Sequence, residues 1–227
     1  MNTALNLPVI GLLVRKDWQL FQKQFAANVL AGIVALCLLG TGKPWSFYLG
    51  SLLLIVVLVS VACFAISNSL LVERKELTLP FVMSLPVSPL DFTVAKLAGN
   101  LVTFGVPFLL LLIGVLATVA FTALPNGLIV YSLLLFGYIF VAYCISLMVA
   151  MNVESEGWNI FAMIGSMVLI NPFIMLLGQI EAISGTIRGN AIVWSAPAVG
   201  ILVAEIVIGL SALAVTAWWN GRRPAFY

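Results

Sequence analysis

The chain has 227 residues, of which 63% are hydrophobic and only 8% are charged, and its mean hydropathy is +1.19. This composition lies outside the range of soluble domains and indicates a protein that crosses a membrane several times. The net charge of +2 is too small to indicate a nucleic-acid surface, and the chain has no histidine. A Ser-His-Asp triad, an HExxH zinc site and a histidine-ligated haem are therefore excluded.

The pattern of residues 8–25 predicts an amphipathic helix, and residues 1–24 are assigned to a cytoplasmic and interfacial segment. Large apolar side chains recur there at steps of three and four residues, namely Ile10, Val14, Trp18, Phe21 and Phe25. Basic and amide side chains occupy the other faces of the same helix. A helix with this pattern lies along the membrane surface, at the inner leaflet. The alternative is a frayed cytoplasmic tail.

Six apolar runs follow, each near the roughly 20 residues that a helix needs to cross a bilayer. They cover residues 25–41, 47–72, 97–124, 128–151, 158–180 and 194–219. The predicted fold is an all-α integral membrane protein with one transmembrane domain. Residues 25–72 hold the first two spans, residues 73–96 form a cytoplasmic loop, residues 97–219 hold the other four spans, and residues 220–227 form a cytoplasmic tail.

The basic residues predict the orientation of these spans. Those on one predicted side are Arg15, Lys16, Lys23, Arg74, Lys75, Lys96, Arg222 and Arg223, whereas only Lys43 and Arg188 fall on the other. Because cytoplasmic loops carry the excess of lysine and arginine, both termini are expected in the cytoplasm. All six tryptophans lie at or just outside a predicted span end, the depth that indole rings prefer.

Few polar residues are predicted at membrane depth, and Glu205 is the most unusual. It follows Pro197 by eight residues, about 12 Å along a helix, and so lies near the middle of a hydrocarbon core about 30 Å thick. We expect its side chain to face protein or water and to be protonated or hydrogen-bonded. One interpretation is a translocation or gating residue, and the other is an interhelical hydrogen bond that fixes packing.

Two spans contain proline well inside the apolar run. Asn171 and Pro172 in the fifth span, and Pro107 in the third, predict helix interruptions that free backbone carbonyls. Asn171 is a candidate for the translocation path, although proline in membrane helices also serves packing alone.

The sequence contains no catalytic constellation. The fragment Gly40 to Lys43 resembles part of a phosphate-binding loop, but Leu36 and Pro44 stand where that loop requires glycine and a hydroxyl residue. The only two aspartates, Asp17 and Asp91, both fall in predicted cytoplasmic segments, so an intramembrane aspartyl protease is disfavoured. We expect no enzymatic activity from this chain.

The longest polar segment between spans is residues 73–96. It begins with the charged cluster Glu73, Arg74, Lys75 and Glu76, continues through the apolar residues Phe81, Val82, Met83, Leu85 and Pro86, and ends with Asp91 and Lys96. A purely solvated loop would not keep so many large apolar groups. The segment is expected either to lie on the membrane surface or to dock into a partner's groove.

At this segment the chain resembles the membrane subunits of ABC-2 type ATP-binding cassette exporters. Members of that family carry an acidic and basic cluster after the second span, then a turn like residues 84–88 here (Ser-Leu-Pro-Val-Ser), then a lysine that opens the third span, like Lys96. The amphipathic N-terminal helix, six spans and internal termini are also similar, so the resemblance covers nearly the whole chain.

The resemblance implies that residues 73–96 contain a coupling helix that sits in a cleft of a separate cytoplasmic ATPase. The implied ATPase-coupling residues are Glu73, Arg74, Glu76, Phe81, Leu85, Pro86 and Asp91, with Glu154 and Glu156 of the loop 152–157 as a smaller contact. The partner would bind ATP and magnesium, and this chain would carry no cofactor. A homodimer, or a pair with a similar chain, in a bacterial inner membrane is also implied.

Such a subunit would move a peptide or a hydrophobic small molecule out of the cytoplasm. Two alternatives stay open from the sequence: a haem-exporter-type membrane subunit, which has a similar size and span count, and a membrane scaffold that binds partners and transports nothing.

Overall fold

The computed structural model describes residues 7–71 and 89–221, and the regular structure in these two ranges is helical. The helices are α1 (Leu7–Gly40), α2 (Pro44–Ile66), α3 (Pro89–Phe121), α4 (Leu128–Asn152), α5 (Glu156–Val168), α6 (Ile170–Gln179), α7 (Glu181–Ser184) and α8 (Ala196–Gly221). A π-helical turn, Ser67–Leu71, continues α2. We call the end of the bundle where α3 begins the Lys96 end, and the end where α2 begins the Lys43 end.

Six membrane-spanning segments are confirmed. Within the described ranges, six helical stretches are long and apolar enough to cross a bilayer: Ile10–Gly40, Pro44–Leu71, Thr93–Phe121, Leu128–Asn152, Glu156–Gln179 and Ala196–Asn220. Exposed tryptophans lie near several helix ends, with Trp45 at the start of α2, Trp158 at the start of α5 and Trp218 in the last turn of α8. The regular structure of residues 7–71 and 89–221 is therefore all helical, and its six long apolar helices indicate a multi-pass membrane protein.

The first helix differs from the prediction of two separate segments. α1 is one helix of 34 residues, about 51 Å long, so the predicted boundary between residues 24 and 25 lies inside it. Its buried positions recur at steps of seven and eight residues along both halves, at Ile10, Asp17, Phe25, Gly32 and Leu39. Because one continuous face is buried against the rest of the bundle, the helix has no reason to break between the two halves.

The fifth span is interrupted where the sequence predicts it. α5 ends at Val168 and α6 begins at Ile170, with Leu169 as the junction. Pro172 lacks the N–H group that would bond the carbonyl of Val168, and its ring crowds that carbonyl, so the break falls just ahead of the proline. Pro107 behaves differently, because α3 continues through it as one helix.

Close packing between helices depends on small residues at a few positions. α1 packs against α2 and α3, and α4 packs against α8 and α5. A side-chain carbon at Gly50 of α2 would lie 2.9 Å from the backbone oxygen of Ala35 and 2.9 Å from the backbone nitrogen of Leu39, so α1 and α2 approach closely there. This is the usual mode of association between helices in lipid, where apolar burial contributes little.

Candidate functional site

A buried ion pair joins α1 to the beginning of α3. The ammonium Nζ of Lys96 lies 3.3 Å from the carboxylate Oδ2 of Asp17, and each residue is only 4% exposed. Gly99 lies one turn after the lysine, and a side-chain carbon there would be 3.3 Å from the same carboxylate oxygen. α1 and α3 therefore approach closely at the point where the charges meet.

The same lysine connects α3 to the end of the second span. Its ammonium donates to the backbone carbonyl of Ser69 at 3.2 Å, and the side-chain amide of Asn100 donates to the hydroxyl of Ser69 at 2.9 Å. Ser69 lies in the π-helical turn after α2, three residues before the undescribed range 72–88, and Lys96 follows that range. The two flanks of residues 72–88 are thus bonded directly to each other.

A tyrosine connects α4 to the same cluster. The hydroxyl of Tyr143 donates to the backbone carbonyl of Asn100 at 2.8 Å, and the tyrosine side chain is completely buried. Its ring stacks on Phe104 with centroids 3.8 Å apart. We call Asp17, Ser69, Lys96, Asn100 and Tyr143 the polar junction. It joins the first four spans through charge-assisted and neutral hydrogen bonds away from water.

The ion pair in the polar junction holds its two partners together. A buried charge pair costs desolvation energy and gives little net stability, but it strongly resists separation of its partners, because separation leaves a buried charge uncompensated. The buried contacts therefore connect α1, α3, α4 and the end of the second span at one place.

The predicted ATPase-coupling residues divide into three groups. Glu73, Arg74, Glu76, Phe81, Leu85 and Pro86 lie outside the described residues. Asp91 lies inside them and is buried in the first turn of α3. Glu154 and Glu156 are both exposed, in the connection between α4 and α5 and in the first turn of α5. The structure thus leaves the two glutamates accessible at the Lys96 end.

Glu205 is buried between α4 and α8, with 7% of its surface exposed. Neither carboxylate oxygen has a hydrogen-bond partner among the described residues. The carboxylate packs on Gly137 of α4, where any side-chain carbon would collide with Oε2. The described residues therefore do not supply the interhelical hydrogen bond considered for Glu205, and its role in translocation or gating stays a prediction.

Asn171 is placed differently from Glu205. Its side chain is exposed at the start of α6, on the outside of the single chain. The structure therefore does not bring the two predicted path residues together within one chain.

Sequence reasoning missed four members of the polar junction as a site and identified Lys96 only as the lysine that opens the third span. Asp17 was assigned to an interfacial helix, although it shares the seven-to-eight residue repeat of Ile10 and Phe25. That repeat, combined with a single opposite charge at the start of the third span, was the available signal. Nothing in the sequence indicates that the Tyr143 hydroxyl and the Asn100 carbonyl meet.

Comparison with known proteins finds no match among family models, curated proteins or solved structures. The similarity to ABC-2 type exporters therefore depends on the residues of this chain alone.

Proposed function

We propose that this chain is the membrane-spanning subunit of an ABC exporter, driven by ATP that a separate cytoplasmic ATPase hydrolyses. The cargo would be a peptide or a hydrophobic small molecule. Both termini and the Lys96 end would face the cytoplasm of a bacterial cell, and the Lys43 end would face outward.

The observation that carries the proposal is the polar junction. In the proposed mechanism residues 73–96 contact the ATPase, so the force of ATP binding enters the chain at this segment. Ser69 and Lys96 flank residues 72–88 and are bonded to each other in a buried site. A loop that served only as a solvated connection would not need flanks fixed by a buried ion pair, which is costly to form.

The same junction supports a rigid-body mechanism. Asp17 extends the connection to α1 and Tyr143 extends it to α4, so motion at the loop would tilt four spans as one unit. Rigid tilting of packed helices is an established form of conformational change in proteins. The exposed Glu154 and Glu156 would offer the ATPase a second, smaller contact at the same end.

A second membrane subunit completes the proposed assembly. A pair of chains would give twelve spans around a central interface. The exposed side chain of Asn171 at the start of α6 supports this arrangement, because a polar group on the outside of a membrane helix is better satisfied by a second protein chain than by lipid.

Purification of the complex tests the proposal. The full chain, tagged and extracted from its native membrane, is expected to bring down an ATPase. Replacement of the apolar residues between Phe81 and Pro86 by serine should lower the rate of ATP hydrolysis of that complex, because the apolar contact between the loop and the ATPase is lost. The matched control replaces the same number of residues within 185–190, at the opposite end of the bundle, and should leave the hydrolysis rate unchanged.

Two outcomes would contradict the proposal. One is the absence of any ATPase in the purified material, which would favour a scaffold. The other is an ATPase whose turnover is equally indifferent to both replacements.

A further inference from the structure

A cavity of about 420 Å³ lies at the Lys43 end of the bundle, on the opposite side from the polar junction. Its wall is built by α1, α2, α3, α4 and α6, together with Ile187 from the segment before α8. Leu39 and Phe47, on either side of the connection between α1 and α2, mark its position along the bundle. The volume falls in the range of sites that hold small molecules, about 300 to 1,000 Å³.

The chemistry of the wall excludes a charged ligand. None of the residues that line the cavity carries a charge, and most are leucine, isoleucine, valine or phenylalanine. Two of the hydroxyl groups are already used inside the protein. Ser51 donates to the carbonyl of Tyr48 at 3.0 Å, and Thr118 donates to the carbonyl of Gly114 at 2.8 Å. A charged group placed here would lose its hydration without gaining a partner.

Three hydroxyls in the wall, those of Tyr48, Tyr131 and Ser132, are not used in this way, and two of them are neighbours in the chain. Tyr131 and Ser132, in the first turns of α4, both line the cavity, and neither hydroxyl has a hydrogen-bond partner among the described residues. A small number of placed polar groups in an otherwise apolar pocket is the usual arrangement that orients a ligand.

We propose that this cavity binds one uncharged long-chain molecule, with a hydrocarbon body and a neutral polar group such as an ester or an alcohol. The body fills the apolar wall, and the polar group bonds to the hydroxyls of Tyr131 and Ser132. Such a ligand has two sources, a bilayer lipid with its ester-linked acyl chain and a free hydrophobic cargo. The existence of the site does not depend on the proposed export function, because its argument uses only the cavity and its wall, whereas the identification of a free occupant as cargo rests on that function.

Photochemical labelling of the purified full chain in phosphatidylcholine nanodiscs tests the site. One probe is a phosphatidylcholine with a diazirine in one acyl chain, and the other is a diazirine derivative of hexadecanol. At least one probe should label peptides that contain Tyr131 and Ser132 in preference to the lipid-facing helix surfaces. Tyr131→Phe should raise the half-saturating probe fraction about fivefold, the effect of losing one neutral hydrogen bond.

Tyr138→Phe is the matched control, because it removes a hydroxyl from the same helix at a residue outside the cavity, where that hydroxyl bonds the carbonyl of Ser166 at 2.6 Å. It should leave labelling unchanged. Ser132→Phe, which fills the cavity, should reduce labelling of the wall with both probes.

The two probes distinguish the sources of the ligand. Labelling by the phosphatidylcholine probe identifies a bilayer lipid as the occupant. Labelling by the hexadecanol probe alone identifies a free hydrophobic cargo. Uniform labelling over the helix surfaces, with no difference between Tyr131→Phe and Tyr138→Phe, would overturn the proposal.

Discussion

Asp17 and Lys96 form the buried ion pair on which the polar junction depends, and its energetics are asymmetric. The attraction between the two charges is largely offset by the free-energy cost of removing each charge from water. Removal of one partner alone takes away the nearest compensating charge from the buried partner that remains, whereas removal of both leaves a site that apolar side chains can fill. A double substitution should therefore cost less than the two single substitutions together.

Lys96→Met and Asp17→Leu should each lower the free energy of unfolding, by up to about 5 kcal/mol, because each removes one charge of a buried pair while the opposite charge stays buried. The double variant should recover a large part of the summed loss. Thermal unfolding of the purified chain in detergent measures all three. Lys16→Met is the control, since Lys16 lies 3.6 Å from the same aspartate but is 45% exposed, and it should cost at most about 1 kcal/mol.

If the loss of unfolding free energy in the double variant equals the sum of the two single losses, the two residues act separately. The ion pair would then not be the central contact of the polar junction.

Contacts between single residues were also the feature least predictable from the sequence. Lys96 was identified as the opening of the third span, but its partner Asp17 lies 79 residues earlier and was assigned to a different environment. Side-chain pairs that join distant helices depend on the three-dimensional packing, which the pattern of a single helix does not contain. Glu205, by contrast, was identified as unusual, because the free-energy cost of an acidic side chain in a bilayer follows from its depth in the membrane alone.

Whole elements were more predictable than residues. All six spans were found, since length and hydropathy are imposed by the bilayer itself. Proline predicted the break in the fifth span, but the same reasoning predicted an interruption at Pro107, where α3 continues. The continuity of α1 was missed because its amphipathic first half and its apolar second half were assigned to separate segments, whereas they form one helix.

The packing of α8 on α4 depends on a glycine that makes room for a buried carboxyl. Gly137→Ala should lower the free energy of unfolding by about 1 to 3 kcal/mol, because the new methyl group collides with the Glu205 carboxylate. Adding Glu205→Ala should recover part of that loss, since contacting residues are energetically coupled. Thermal unfolding in detergent measures both variants.

Gly200→Ala in α8 serves as the control for Gly137→Ala. No atom lies within 4 Å of a side-chain carbon built at Gly200, so the alanine should be neutral or stabilising by up to about 1 kcal/mol. Equal effects of the two glycine substitutions, with no recovery on shortening Glu205, would contradict the packing that the structure describes.

At the scale of the molecule, the bundle has two ends with different chemistry. The Lys96 end has the buried polar junction, and the Lys43 end has the apolar cavity between the same helices. α2, α3 and α4 reach from one end to the other, because each contributes to both features. A rigid tilt imposed at the junction would therefore move the part of the cavity wall that these helices build relative to Ile174 of α6 and to Ile187.

Tyr143→Phe tests whether the polar junction carries force across the molecule in the proposed exporter. The substitution removes the bond from α4 to Asn100 but keeps the ring stacked on Phe104. One neutral hydrogen bond contributes about 1 kcal/mol, so the amount of cargo moved per ATP hydrolysed should fall up to about fivefold. Transport into inverted vesicles, measured together with ATP hydrolysis, gives this ratio.

Tyr138→Phe is the matched control, because it removes a hydroxyl of α4 that bonds to Ser166 and not to the polar junction. It should leave the ratio of transport to hydrolysis unchanged, and both variants should still bring down the ATPase. If the two substitutions lower the ratio equally, general loosening of α4 explains the result. If neither does, the connection between α4 and the loop flanks has no part in coupling.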